Sequence, residues 1–221
     1  MRRILYENGL SLVLFALFVL CVVGQSVAGH GDYNEVRQAH GQPAISYGAY
    51  LHTGHFLEAL AENWESEFLQ MGAFVLLTIF LRQKGSPESK KLTGAEPVNR
   101  DPRQGLPAPN APWPVRRGGL LRRLYTHSLT IALFGLFAVA FVLHAVGGVR
   151  EYNAEQLMHG EPAQSLLGYL GTATFWFESL QNWQSEFLSL AVMIVLAIFL
   201  RQRGSPESKP VDHPHGETGH A

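Results

Sequence analysis

The sequence is poor in charged side chains, which make up only 16% of its 221 residues. In soluble domains about a quarter of the residues are charged. This deficit therefore indicates a membrane protein, with the lipid bilayer as a partner. The formal net charge is −1. That value argues against a nucleic-acid partner, because a nucleic-acid-binding surface needs a basic excess.

Cysteine is nearly absent as well. With Cys21 as its only cysteine, the chain has no intrachain disulfide and no cysteine zinc cluster. The sequence also contains no phosphate-cradling glycine loop, no His-Glu-x-x-His and no nucleophile elbow. We therefore expect a protein that is not an enzyme and has no cofactor. A reactive acid inside the membrane is the alternative that these absences leave open.

Apolar runs are the main feature that is present. The first extends from about residue 10 to 28, and about 19 residues favour an uncleaved span over a signal peptide. The second, residues 68–81, covers only about 21 Å of a hydrocarbon core of about 30 Å. Its helix must therefore begin near residue 54. The remaining two runs repeat this pattern later in the chain.

The chain contains a duplication. A shift of 119 positions aligns residues 3–90 with residues 122–209 without a gap, at about 40 identical positions. The sequence predicts an all-α integral membrane protein with four transmembrane helices, arranged as two tandem helical hairpins of the same orientation. The predicted segments are a first two-span repeat (1–90), a Pro/Arg-rich cytosolic linker (91–121), a second two-span repeat (122–209) and a polar disordered tail (210–221).

Basic residues predict the orientation of the hairpins. Of the 17 lysines and arginines, only Arg37 and Arg150 lie in the two loops that join the spans of each hairpin. The positive-inside rule then predicts that both termini and the linker are cytosolic. Small residues at equivalent positions, Ala16 and Gly135, predict a close contact between the first spans of the two repeats.

A polar motif opens the second span of each repeat, as Asn63-Trp-Glu-Ser-Glu-Phe-Leu69 and Asn182-Trp-Gln-Ser-Glu-Phe-Leu188. Helical spacing gives each copy one polar stripe. Because a lipid-facing carboxylate is costly, the stripes should face the bundle interior. They form either a proton- or cation-binding site or a set of interhelical hydrogen bonds. The candidate residues are Asn63, Ser66, Glu67, Asn182, Ser185 and Glu186, with Trp64 and Trp183 as membrane-interface anchors.

Two further patterns have less chemical content. His52 and His55 are helical neighbours, but the second repeat replaces both, so we expect no metal site there. The segment Gly85-Ser-Pro-Glu-Ser-Lys90 recurs as Gly204-Ser-Pro-Glu-Ser-Lys209. It either stops the helix with a turn at headgroup level or provides a docking surface for a cytosolic partner.

These paired motifs resemble a family of bacterial membrane proteins known only as a domain of unknown function. The resemblance covers the chain apart from the linker and tail, and implies the bacterial inner membrane without implying an activity. The predicted function is a non-enzymatic module, structural or partner-binding, whose partner is a second copy or another membrane protein. The alternative is a small proton- or cation-linked transporter or sensor that uses Glu67 and Glu186.

Overall fold

The computed structural model describes residues 2–103 and 110–219, and within these ranges every regular element is a helix. The prediction of an all-α fold is therefore confirmed. The elements are α1 (Arg2–Ala39), α2 (Tyr47–Tyr50), α3 (Gly54–Phe80), α4 (Trp113–Arg117), α5 (Gly119–Thr126), α6 (Ser128–Met158), α7 (Leu166–Leu170) and α8 (Ala173–Phe199), with a 3₁₀ turn at Pro97–Asn99.

Three of the described helices, α1, α6 and α8, are long and apolar enough to cross a membrane. The sequence predicts four spans, and α3 does not meet the requirement. Its 27 residues would suffice in length. Its first half contains the four carboxylates Glu58, Glu62, Glu65 and Glu67, which lower the hydropathy of any window long enough to span. Because of this shortage of apolar residues, which the sequence already shows, α3 is not among the candidate membrane spans.

The chain forms two compact units that do not coincide with the two sequence repeats. One unit combines Met1–Trp64 with Val139–Glu178, and the other combines Glu65–Ala138 with Ser179–Ala221. Each unit takes segments from both repeats. Helices α3, α6 and α8 each contribute residues to both units.

In the first unit, an asparagine fixes the loop after each long helix. The backbone N–H of Ile45 donates to Asn34 Oδ1 at 2.8 Å, and Asn34 Nδ2 donates back to the Ile45 carbonyl at 3.1 Å. Asn153 makes the same two bonds with the backbone of Gln164, at 2.6 and 2.9 Å. The Asn34–Ile45 and Asn153–Gln164 pairs lie 119 positions apart, which is the repeat interval. In both repeats a side-chain amide satisfies the N–H and the carbonyl of one loop residue.

The beginning of α3 crosses α6 in direct backbone contact. A Cβ on Gly147 would come within 2.6 Å of the backbone nitrogen of Glu58, and a Cβ on Gly54 within 2.6 Å of the backbone nitrogen of Glu151. The Glu151 carboxylate accepts a hydrogen bond from the backbone N–H of His55 at 3.1 Å. It therefore satisfies one of the donors at the α3 amino end, where negative charge is favoured.

The predicted small-residue contact joins residues of different units, Ala16 and Gly135, and stays a prediction. Among the described residues, no heavy atom from outside the neighbouring turns of α6 lies within 4 Å of the position that a Cβ on Gly135 would take. Close packing occurs nearer the carboxyl end of the same helix, at Gly147. Small side chains permit a close helix crossing, but the sequence does not specify which small residue faces a neighbour.

In the second unit, the recurrent Gly-Ser-Pro-Glu-Ser-Lys segment ends its helix through side chains. Gly85 takes a positive φ of 85°, which turns the chain out of the α3 axis. Ser89 Oγ then accepts from the backbone N–H of Gln83 at 3.0 Å, and Lys90 Nζ donates to the Ile79 carbonyl at 2.8 Å. The lysine thus satisfies a carbonyl that the last turn of a helix leaves open.

The second copy repeats this arrangement after α8. Gly204 has a φ of 87°, and Ser208 Oγ accepts from the backbone N–H of Gln202 at 2.9 Å. Arg201 Nη1 donates to the Ile198 carbonyl at 3.1 Å. The glycine turn and the serine bond that stop the helix therefore recur in both copies, which agrees with the first of the two interpretations.

The residues after Lys209 fold back on the second unit. Lys209 Nζ donates to the carbonyls of Pro214, His215 and Glu217 at 3.0–3.1 Å, so three acceptors satisfy its three donors. Thr218 Oγ1 accepts from the backbone N–H of Gly85 at 2.8 Å. Residues 210–219 thus form turns that are hydrogen-bonded to the rest of this unit, and the expected disorder of the tail stays a prediction.

The predicted linker is partly helical. Its described residues include the 3₁₀ turn, α4 and the beginning of α5. Pro114 lies in the first turn of α4, where the missing N–H of proline costs no hydrogen bond. Residues 104–109 of the linker lie outside the described residues.

Candidate functional site

The site is organised around Tyr169, at the end of the short helix α7 in the first unit. Ser165 caps the start of α7, where its Oγ accepts from the backbone N–H of Gly168 at 3.1 Å. Thr172 Oγ1 donates to the Tyr169 carbonyl at 2.7 Å. The phenol is fully buried and lies against Gly148 of α6, where any Cβ would collide with the hydroxyl. These contacts fix the direction of the tyrosine ring.

The Tyr169 hydroxyl meets two carboxylates. It lies 3.1 Å from Glu58 Oε1 on α3 and 2.9 Å from Glu178 Oε2 on α8. Burial, together with the charges of Glu58 and Glu178, raises the pKa of Tyr169 far above its ordinary value, so the phenol stays protonated. A phenol has one hydrogen to donate. The Tyr169 hydroxyl can therefore donate to only one of the two carboxyl groups at a time.

His144 completes the group from the third helix, α6. Its side chain is fully buried, and its Nε2 lies 3.7 Å from Glu178 Oε2. The imidazole packs against the ring of Phe175 with their centroids 5.0 Å apart. One ligand atom each from Glu58, His144 and Glu178 lies within 4.8 Å of the other two. We call these three residues, with Tyr169, the tyrosine–carboxylate cluster.

Sequence reasoning missed this cluster because its members are not equivalent in the two repeats. Glu58 and Glu178 stand 120 positions apart, one more than the repeat interval, so the alignment pairs Glu58 with Phe177. It pairs His144 with Gln25. The available signal was a histidine inside the most apolar part of α6, since an ionisable residue within such a segment is a functional candidate by default.

The two carboxylates chosen from the sequence, Glu67 and Glu186, lie in the second unit. Glu67 is exposed and Glu186 is half-buried. The two carboxylates are close enough for their charges to repel each other. Proximity of the pair therefore agrees with the hypothesis that they act together, whereas the exposure of Glu67 differs from the buried position that the polar stripe predicts.

The remaining polar candidates differ in their exposure. Asn63 is exposed and its Nδ2 donates to the Ala59 carbonyl of its own helix at 2.8 Å. Ser185 is exposed and its Oγ donates to the Asn182 carbonyl at 2.9 Å. Asn182 is half-buried, and Ser66 is buried. Asn63 belongs to the first unit and the other candidates to the second.

The two tryptophans have different surroundings. In the first unit, the Trp64 ring packs against Phe18 with centroids 6.0 Å apart. In the second unit, Trp183 Nε1 donates to Glu65 Oε1 at 2.9 Å, and Glu65 is fully buried. The buried carboxylate of the motif is therefore Glu65. In the second copy of the motif Gln184 takes the equivalent position, and the sequence analysis did not select Glu65.

Long apolar helices and ionisable groups buried against them define an all-α protein with three candidate membrane spans. Residues 1–220 match the family model described as Domain of unknown function (DUF6766), and the chain belongs to that family. No curated protein and no solved structure matches the chain. The family description names no activity, substrate or partner.

Proposed function

We propose that this protein is a non-enzymatic membrane module that binds a divalent transition-metal ion through Glu58, His144 and Glu178. The observation that supports the proposal is the convergence of three ligand atoms within 4.8 Å, each from a different helix. Carboxylate oxygen and imidazole nitrogen are ligands that zinc and its first-row neighbours accept. Metal sites of this composition form in helix bundles from side chains on facing helices.

Charge balance also supports a cation. Two glutamate carboxyl groups meet at one buried phenol hydrogen, so their mutual repulsion has to be offset by a proton or by a cation. A dipositive ion would neutralise both carboxylates, while Tyr169 would keep one carboxylate oriented from outside the coordination shell. Since Glu58 comes from the first repeat and the other ligands from the second, binding would join the two repeats. The bound metal would therefore either stabilise the module as a structural ion or signal the metal concentration by changing how the repeats are joined.

The proposal predicts a large loss of metal affinity when the ligands are neutralised. We expect the purified chain in detergent to bind one Zn²⁺ by calorimetry, with competition from a chelator to set the affinity. Glu58→Gln/Glu178→Gln and His144→Gln should each weaken this binding by at least about a hundredfold, because each removes a direct ligand. The substituents keep the side-chain size, and His144→Gln introduces the residue that Gln25 supplies at the equivalent position.

The matched control is Glu67→Gln/Glu186→Gln, which also removes two carboxylates but from the second unit. We expect its zinc affinity to equal that of the wild type. X-ray absorption of the wild-type complex should show one nitrogen ligand and the rest oxygen. Equal zinc affinity in wild type and ligand variants would contradict the proposal and assign the ion to surface histidines such as His213 and His215.

The second candidate function is a proton- or cation-linked transporter or sensor based on Glu67 and Glu186. Their proximity favours it, because two neighbouring carboxylates can act on the same proton or cation. In that case Glu67→Gln/Glu186→Gln should abolish pH-dependent flux in proteoliposomes while leaving zinc affinity intact. The same variant therefore separates the two functions.

For its location, the proposal is the bacterial inner membrane, with two same-orientation hairpins and both termini in the cytosol. This requires α3 to cross as a fourth span despite its composition. Two of its carboxylates have polar partners that offset their cost in the membrane, Glu58 with Tyr169 and Glu65 with Trp183. A second copy of the chain or another membrane protein is the proposed partner beyond the lipid.

Cysteine labelling tests whether α3 crosses. In a Cys21→Ser background, a membrane-impermeant maleimide added from outside should label Ala44→Cys and Ala163→Cys and should miss Lys91→Cys. These positions are exposed and lie outside the long helices. If α3 does not cross, position 91 becomes accessible and position 163 does not. That result would leave three spans and separate the two termini.

A further inference from the structure

A basic cavity of about 730 Å³ lies in the second unit, between the segment Val98–Arg103 and helix α5. Four arginines line it, together with His127 from the junction of α5 and α6. The arginines are Arg100, Arg103, Arg122 and Arg123. They converge from two parts of the chain that the sequence separates by about twenty residues.

Only one acidic side chain, Asp101, lies among the residues lining this cavity, and it already has a partner. Arg103 Nε donates to both Asp101 oxygens at 3.0 Å. Arg100, Arg122 and Arg123 make no ion pair with the residues that the structure describes. The charge of Arg122 acts on Asp101 without an ion pair, so three guanidinium groups around the cavity keep their hydrogen-bond donors for an external anion.

The positive-inside rule explains why arginines are frequent in this part of the chain, but not why they surround one cavity. Arg116 and Arg117 provide the comparison. They belong to the same basic stretch, lie on α4 and do not line the cavity. Arg117 instead lies over the ring of Trp113, with its guanidinium carbon 5.8 Å from the ring centroid. An attraction that depended on net charge alone would not distinguish the pair Arg116 and Arg117 from the pair Arg122 and Arg123.

We propose that this cavity binds the phosphate of an anionic phospholipid headgroup. Guanidinium groups match phosphate oxygens in pairs, which makes arginine the common phosphate-binding side chain. The exposed side chains of Val98 and Leu120 add an apolar wall, and the cavity is much larger than a free phosphate ion needs. The adjoining helix α6 is a candidate membrane span that begins at Ser128, so the cavity belongs at headgroup level.

The test titrates the full-length protein in a neutral detergent with short-chain phosphatidylglycerol, using native mass spectrometry to count bound lipid. We expect one lipid to bind the wild type. Arg122→Gln/Arg123→Gln should weaken this binding about twentyfold, because each arginine near an anionic headgroup contributes on the order of 1 kcal/mol to the free energy of binding. Arg116→Gln/Arg117→Gln should change it less than about twofold, although it removes the same charge.

Three results would overturn the proposal. Equal loss in the two double variants would show attraction by net charge without a site. Equal retention in both would show that the cavity does not hold the lipid. Displacement of the lipid by pyrophosphate at equal concentration would assign the cavity to a soluble phosphate ester. All variants replace exposed or half-buried arginines, and circular dichroism and gel filtration verify that each remains folded.

Discussion

Replacing Gly147 by alanine is expected to lower the free energy of unfolding by about 3 kcal/mol, near the upper end for overpacking. The added Cβ would lie 2.6 Å from the backbone nitrogen of Glu58 and 2.9 Å from its Cα. Backbone atoms cannot rotate out of the way as a flexible side chain does. Relief therefore requires the beginning of α3 to move away from α6, which would also displace the Glu58 carboxylate from Tyr169.

Gly135→Ala is the matched control, since it makes the same substitution on the same helix where no atom lies within 4 Å. Alanine is the better helix former by about 1 kcal/mol, so this variant should be neutral or slightly stabilised. Unfolding in mixed micelles of increasing dodecyl sulfate content, followed by circular dichroism, measures both. Equal stability of the two variants would show that α3 and α6 do not meet at Gly147.

The long helices could be predicted from the sequence because their apolar runs are local patterns. The start of α3 at Gly54 follows from the span-length argument, and the structure places the helix at Gly54–Phe80. In the structure α1 continues beyond the first apolar run to Ala39, because no proline interrupts the helix there.

The interior face of α3 could not be predicted. Helical spacing shows which residues share a face, but rotating the whole helix about its axis leaves the spacing unchanged. The duplicated glutamate Glu67 seemed the natural interior residue. The structure buries Ser66, as the stripe predicts, but it buries Glu65 and leaves Glu67 exposed. The Trp183 indole donates a hydrogen bond to the buried Glu65.

The tyrosine–carboxylate cluster was beyond sequence reasoning for a related reason. Its ligands come from three helices and two repeats, and nothing in the spacing relates His144 to Glu58. From the sequence, Tyr169 could be recognised only as one of two tyrosines that the repeat alignment pairs, 119 positions apart. The hydroxyl of its partner by alignment, Tyr50, lies 3.1 Å from His55 Nδ1 instead of between two carboxyl groups of the described residues. The duplication thus produced two buried tyrosines with different surroundings.

Reversing the charge of Glu65 is expected to be among the most destabilising single changes in the second unit. Glu65→Lys should cost about 3–5 kcal/mol, because the indole N–H of Trp183 loses its acceptor and faces a buried cation. Glu65→Gln keeps an acceptor oxygen in the same position and should cost about 1 kcal/mol. The chain itself uses glutamine at the equivalent position, Gln184.

The comparison that decides between the two carboxylates of the motif is Glu67→Lys. Glu67 is exposed, so a lysine there can extend its flexible stem and move its charge towards water. We expect Glu67→Lys to cost less than half as much as Glu65→Lys in the same micelle titration, with tryptophan fluorescence as a second probe of Trp183. A larger loss for Glu67→Lys would restore Glu67 as the interior carboxylate, and the Trp183–Glu65 hydrogen bond would then not be what orients α3 in the second unit.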